Sequence, residues 1–325
     1  MLKNKKNILI TGVAGFIGFS YANELLKKGY KIYGIDNFDN YYSLRIKRKR
    51  IKLLKKNKSF IFKKIDITNK KSLFNFLSKK SFTYVFHFAA QPGVRYSFVN
   101  PQKYMDVNIN GFINILENIK NKKIKKFFFA SSSSVYGDTN KFPVDENQKL
   151  SPKNPYGISK VVNEEIASIY SLKTNTQFIG LRFFTIYGEL GRPDMFIIKF
   201  IKKAFLKKSF ELNNAGEHYR DFTYIKDVII ILNKLLQGNF KFKNEVFNVC
   251  TSKPIYIKSL CNKLKKSLNF SKVKSIKINK ADVLKTHGNN KKLLKLIGPI
   301  NFTKIDHGVK RILDWSNNNK NLIIK

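Results

Sequence analysis

The sequence predicts an α/β protein: a doubly wound parallel sheet covered by helices on both faces, followed by a smaller C-terminal domain. Three observations carry that prediction. Short apolar runs alternate with longer segments of helical period, a glycine-rich turn joins the first run to the helix after it, and the alternation lapses across residues 188–216.

Residues 7–11 read as the first strand, 16–28 as a helix and 31–36 as the second strand. The basic run at 45–58 (RIKRKRIKLLKKNK) also carries Ile46, Ile51, Leu53 and Leu54, so it reads as an amphipathic surface helix or loop. Strands follow at 60–65, 84–89 and 126–131, separated by helices at 71–79 and 108–120. A further helix at 155–170 and a strand at 178–183 complete the pattern. The strands are too continuously apolar or aromatic to be half exposed, and strand–helix alternation implies right-handed crossovers in a parallel sheet. The expected division is 1–180 and 181–325, with part of 222–250, most plainly 222–236, returning to the main sheet.

Composition narrows the class. The chain has 63 Lys or Arg and 21 Asp or Glu, giving 63 − 21 = +42, and 43% of its residues are hydrophobic. That apolar fraction supports a sizeable core and excludes a disordered polycation. The lysines are scattered through every segment, which argues against a specific nucleic-acid partner. Cys250 and Cys261 cannot form a disulfide framework or a four-thiolate zinc site and read as core residues. No apolar window reaches a membrane span, and the first residues lack the long apolar stretch of a signal peptide. A cytoplasmic setting without a membrane partner is expected.

Directly after the first strand stands T-G-V-A-G-F-I-G, with Gly12, Gly15 and Gly18 spaced three apart at the start of a helix. Glycines at such a turn let the backbone approach a pyrophosphate, whose charge the helix N-terminus meets. The second strand ends in Asp36, at the distance expected of a carboxylate that binds ribose hydroxyls and repels a 2′-phosphate. The sheet is therefore Rossmann-type, and NAD is favoured over NADP. Asp66, after the third strand, reads either as an adenine contact or as a helix N-cap.

Tyr156 and Lys160 stand four residues apart on a helix, which places phenol and ammonium on one face. A tyrosine with a pKa of about 10 needs roughly 4 kcal/mol of preferential phenolate stabilisation to act as a base near neutrality. A neighbouring Lys and a positive nicotinamide supply that kind of interaction. Taken alone the pair is commonplace; joined to the glycine turn and the serine run 131–134 it reads as a catalytic pair. His87, on the fourth strand, reads as a core histidine, and no cluster suggests a metal site.

These blocks, with H-F-A-A-Q, S-S-S-S-V-Y-G, R-F-F-T-I-Y-G, G-R-P-D-M and R-D-F-T-Y-I-K-D-V, resemble the extended short-chain dehydrogenase/reductases that modify nucleotide sugars. Within that superfamily, Q-P-G-V-R-Y-S, L-R-F-F-T-I-Y-G and G-R-P-D-M look most like the UDP-glucuronate 4-epimerases. The resemblance implies Tyr156 as acid/base, Lys160 as its partner and Ser132 as the hydroxyl bonded to the sugar O4, with Ser134 near the substrate. It implies a cofactor channel that includes Phe16, Ile17, Asn37, Ile67, Ala89, Ala90, Gln91 and Asn108. On the substrate side it implies Thr185, with Arg220 and Asp282 on the nucleotide half. A UDP-sugar substrate, a smaller substrate-binding C-terminal domain and a homodimer are implied likewise.

The chemistry after C4 oxidation separates neighbours. A 4,6-dehydratase needs an acidic pair beside the hydroxyl residue, where this chain has Ser133 and Ser134, so hydride return is expected in place of elimination. A 4-keto glucuronate is a β-keto acid whose carboxylate must be held against loss of CO₂. Arg192 and Arg95 are the candidates, because guanidinium grips carboxylate in a planar fork. The expected activity is NAD-dependent 4-epimerisation of UDP-glucuronate. Its rivals are an epimerase of a neutral or N-acetylated UDP-hexose and a catalytically silent nucleotide-sugar-binding protein.

Overall fold

The computed structural model describes residues 6–277 and 281–324. Six strands of the first half, β1 (Asn7–Thr11), β2 (Lys31–Asp36), β3 (Phe60–Lys64), β4 (Tyr84–His87), β5 (Lys126–Ser132) and β6 (Gln177–Phe183), are joined through helices. Two short strands follow, β7 (Thr185–Tyr187) and β8 (Phe210–Asn213), then β9 (Tyr219–Tyr224), β10 (Asn244–Val249), β11 (Pro254–Tyr256) and β12 (Val273–Ile276). The main sheet has seven strands in the order β10-β6-β5-β4-β1-β2-β3, all parallel. The order reverses between β1 and β4, so the crevice beyond their C-terminal ends is the natural ligand position.

Continuous apolar strands follow from burial on both faces. Ile8 and Ile10 of β1 and Phe128 of β5 enter one core, while Leu9 of the same β1 and Phe127 and Phe129 of β5 enter the other. Period-two alternation thus distributes apolar residues to two helical layers in place of a core and solvent. The helices Phe16–Lys27 and Ile225–Gln237 pack together on the first face.

The strand that rejoins the main sheet is β10, paired with β6 from Asn244↔Phe178 to Val249↔Phe183. The segment 222–236 does not supply that strand. Its first residues lie in β9, the middle of a separate three-stranded sheet β11-β9-β7, and the rest form the helix Ile225–Gln237. Buried Lys126, at the start of β5, donates to the carbonyls of Leu235, Leu236 and Gly238 and so closes the C-terminus of that helix against the sheet. β8 and β12 pair in a further small sheet. Among the described residues no helix is long and apolar enough to cross a membrane.

The basic run holds the helix Leu44–Leu54, and its face is unlike a solvated one. Lys47 and Arg50 are buried beside Ile46, Ile51 and Leu54.

Candidate active site

Beyond the C-terminal ends of β1, β2 and β4 lies a cavity of about 240 Å³ bordered by Gly12, Gly15, Phe16, Ile17 and Gly18. Gly12 has φ +68°, and a Cβ there would stand 2.6 Å from the Ala89 amide nitrogen. A Cβ on Gly18 would stand 2.3 Å from the Gly12 carbonyl oxygen. The turn is therefore compressed between β4 and the helix Phe16–Lys27, which opens on the cavity without a side-chain cap. A helix start without a cap leaves amide donors for an anion, as a pyrophosphate requires.

Asp36 and Asn37 border the same cavity, as do Ile67, Ala89, Ala90 and Gln91. The Asp36 carboxylate accepts the Ala14 amide at 3.0 Å and the Phe38 amide at 2.8 Å, one on each oxygen. Each oxygen keeps a lone pair for a ribose hydroxyl. Burial pushes the Asp36 pKa up, and the Lys47 charge and the two amides oppose that shift. A 2′-phosphate would be forced against this carboxylate, so the residues fit NAD.

Two expected cofactor residues stand back from the cavity. Asp66 accepts the Asn37 side-chain amide at 2.8 Å and both the amide and hydroxyl of Thr68, so it braces Asn37. Of the two roles read for it, the N-cap falls to Asn69, which accepts the Ser72 amide. Asn108 is buried in a π-helical turn, Met105–Asn110, where it accepts the Gln91 amide at 2.7 Å and donates to the Gln91 carbonyl and Ser159. Its part is to hold Gln91 in the wall.

Tyr156 lies in the first turn of the helix Pro155–Lys173, whose N-cap Asn154 accepts the Gly157 amide at 2.8 Å. Lys160, one turn on, is 2% exposed; its Nζ donates to the Ala130 carbonyl at 2.8 Å and lies 5.8 Å from the Tyr156 ring centroid. Burial lowers the Lys160 pKa to about 8 against the raising effect of Glu164. Burial also raises the Tyr156 pKa, opposed by a hydrogen bond with Ser132 and by the charge of Arg192. The sequence reading gave the lowering role to Lys160 together with a positive nicotinamide; here the ammonium donates to Ala130, and Ser132 and Arg192 also act on the phenol. His87 is a core residue. Thr11 Oγ accepts the Ala89 amide and shares a 2.9 Å hydrogen bond with His87 Nδ1, and burial pushes the imidazole down to about 3.

A second cavity, of about 510 Å³, adjoins the first, and Ser132, Tyr156 and Arg192 border both. Ser132 ends β5, and its Oγ accepts the Ser134 amide at 3.1 Å. Ser134, Thr185, Arg95, Arg220 and Asp282 line the larger cavity. Arg192 donates through Nε to Asp194 at 3.0 Å, with a second bond from Nη2 to the other carboxylate oxygen. The Arg95 guanidinium pairs with Asp282 at 2.5 Å across the cavity wall. Arg220 donates to the carbonyls of Tyr219 and Leu284, and burial lowers its pKa to about 10, with Asp282 opposing and Arg95 adding to the shift.

The sequence reading missed Tyr41, Lys47 and Met195, which border the cofactor cavity, and Arg50 behind it. For Arg50 a signal existed. It lies at i+4 from Ile46 and i−4 from Leu54, within the apolar stripe of its helix.

The chain matches the NAD dependent epimerase/dehydratase family over residues 8–250. It is 39% identical to an uncharacterised protein of Methanocaldococcus jannaschii, with 98% of this chain and 99% of the other covered. It is 36% identical to a UDP-glucuronate 4-epimerase of Thermodesulfobacterium geofontis, with 97% of each covered. The crystal structure of a UDP-glucuronic acid 4-epimerase from Bacillus cereus, in complex with UDP-glucuronic acid and NAD, superposes with a TM-score of 0.90 at 31% identity, covering 96% of this chain and 99% of that one. With the glycine turn, the Asp36 carboxylate and Ser132, Tyr156 and Lys160 around one cavity, the chain belongs to the NAD dependent epimerase/dehydratase family.

Proposed function

We propose that the protein interconverts UDP-glucuronate and UDP-galacturonate by NAD-dependent 4-epimerisation. The observation that carries this reading is the shared border of the two cavities, where Ser132, Tyr156 and Arg192 meet. A sugar seated there presents C4 toward the cofactor cavity and O4 toward Tyr156. When bound, NAD supplies reversible hydride acceptance at C4. Tyr156 takes the O4 proton and returns it after the keto sugar has turned its other face, while the Ser132 hydroxyl holds O4 in line. Arg192 favours the phenolate by charge and is the residue for the sugar carboxylate, keeping it oriented against loss of CO₂. Ser133 and Ser134 line the cavity where a dehydratase needs a carboxylate, which supports hydride return over elimination.

One observation favours a neutral UDP-hexose instead: Arg192 already holds Asp194, so a substrate carboxylate has to share the guanidinium. Incubating the protein with a panel of UDP-sugars and identifying products by NMR separates the two readings. The wild type is expected to prefer UDP-glucuronate. Arg192→Ala should lower the ratio of kcat/KM for UDP-glucuronate over UDP-glucose by roughly 30-fold or more, since a desolvated charge-assisted contact contributes about 2 kcal/mol or more. Preference for UDP-glucose in the wild type, or an unchanged ratio in the variant, makes the neutral hexose the substrate.

Exposed Ile158, Ile169 and Leu172 on the helix Pro155–Lys173 support a homodimer joined along that helix. Reliance on NAD and a nucleotide sugar supports a cytoplasmic setting, with the product used as a donor for surface polysaccharide.

A further inference from the structure

Arg50 is fully buried, and its five hydrogen bonds go to backbone carbonyls and one phenol. Nη1 donates to the Ala14 carbonyl at 2.7 Å, in the middle of the glycine turn, and to Tyr42 Oη at 2.9 Å. Nε and Nη2 donate to the Leu190 carbonyl at 3.2 and 2.6 Å, and Nη2 also reaches the Gly191 carbonyl at 3.2 Å. Tyr42 borders the cofactor cavity, and Gly191 immediately precedes Arg192. One side chain therefore grips the turn that receives the cofactor and the loop that carries Arg192.

We propose that Arg50 is a positioning residue that fixes the Arg192 loop relative to the glycine turn, and so sets the substrate discrimination of the site. The guanidinium suits this task because its planar fork offers donors in several fixed directions at once; a lysine is a point donor that serves one carbonyl. Burying this charge is costly, and among the described residues no salt bridge meets it: backbone carbonyls, the Tyr42 phenol and the rings of Phe16 and Tyr42 do, an arrangement that plain packing does not call for. The loop it holds needs an external anchor. Leu190 sits at φ +55°, a conformation unfavourable for a branched side chain, so the loop does not adopt this shape by local preference. Displacement of a substrate-orienting group by about an ångström costs on the order of 100-fold in rate. The substrate arm of the inference rests on Arg192 contacting the sugar carboxylate; the cofactor arm does not.

The test uses the NAD-loaded protein and the variant Arg50→Lys, with Arg50→Gln as the second variant. In Arg50→Lys the kcat/KM ratio for UDP-glucuronate over UDP-glucose should fall roughly tenfold or more, and NAD should dissociate faster. In the double variant with Arg192→Ala the ratio should fall no further than in Arg192→Ala alone, because both changes act through one contact. A folded Arg50→Lys with unchanged ratio and NAD release overturns the proposal, as does a loss that multiplies with that of Arg192→Ala. Should Arg50→Lys fail to fold, Arg50→Gln, which buries no charge and cannot span the glycine turn and the Leu190–Gly191 carbonyls at once, decides: a lowered ratio supports the proposal and an unchanged one overturns it. If Arg192→Ala itself leaves the ratio unchanged, the carboxylate reading has failed separately. NAD release from Arg50→Lys then decides alone: faster release supports the grip on the glycine turn, and unchanged release overturns it.

Discussion

Lys160 concentrates the electrostatic difficulty of the site in one side chain. Among the described residues its hydrogen-bond acceptor is the Ala130 carbonyl, and burial holds its pKa near 8 when the unfolded chain would have about 10.5. The sign of the linkage follows. Below pH 8 both states are protonated and the fold bears the full cost of the buried charge; between pH 8 and 10.5 the folded state sheds the proton first, and stability rises with pH. The stability of the wild type relative to Lys160→Met should therefore increase by about 1 kcal/mol from pH 7 to pH 9, read by urea unfolding without cofactor. A difference that is flat or falls with pH would mean that Lys160 is hydrated. Residues of this kind were legible in the sequence because their chemistry depends on local spacing: Gly12 to Gly18, Asp36 at a strand end, Tyr156 and Lys160 one helical turn apart. Partners set by the tertiary fold were not. Glu164, one turn beyond Lys160, accepts the Ser131 hydroxyl and a bidentate pair from Arg182 of β6, and nothing local announces that network.

At the scale of elements, the glycine turn is a joint between β1, β4 and the helix Phe16–Lys27. Gly12→Ala places a Cβ against the Ala89 backbone at a residue whose φ already disfavours L side chains, with no flexible side chain nearby to yield. The variant should lose at least ~2 kcal/mol of stability and be purified without NAD. A protein that retains NAD at wild-type occupancy would show that the turn can relax away from β4. The strands of the first half were readable because burial on both faces makes them continuously apolar. β10, within the 222–250 expected to return to the main sheet, was not singled out there for the opposite reason. Its sequence N-E-V-F-N-V mixes polar and apolar residues, as suits the edge strand of the main sheet, while the strongly apolar 222–236 drew attention and proved to be mostly helix. The helix Leu44–Leu54 was obscured by composition: amid so many lysines, two buried cations look like two more solvated ones.

The whole molecule carries a formal charge of +42, and the proposed function gives that field two opposing consequences. In the proposed homodimer each subunit would repel its copy, so the exposed apolar side chains of the helix Pro155–Lys173 would have to overcome a long-range barrier before they meet. The same field draws in an anionic nucleotide sugar, more strongly when the sugar bears a carboxylate beside the diphosphate. Salt shortens the Debye length from about 10 Å at 0.1 M to about 3 Å at 1 M, and thus weakens both effects. Raising NaCl from 0.05 to 0.5 M should strengthen dimerisation, measured by sedimentation at low protein concentration. It should also lower kcat/KM several-fold with little change in kcat, more steeply for UDP-glucuronate than for UDP-glucose. Opposite slopes for assembly and capture would assign both to one field. If kcat/KM were independent of salt for both sugars, the positive charge would have no part in substrate capture, and discrimination would rest on contacts within the cavity alone.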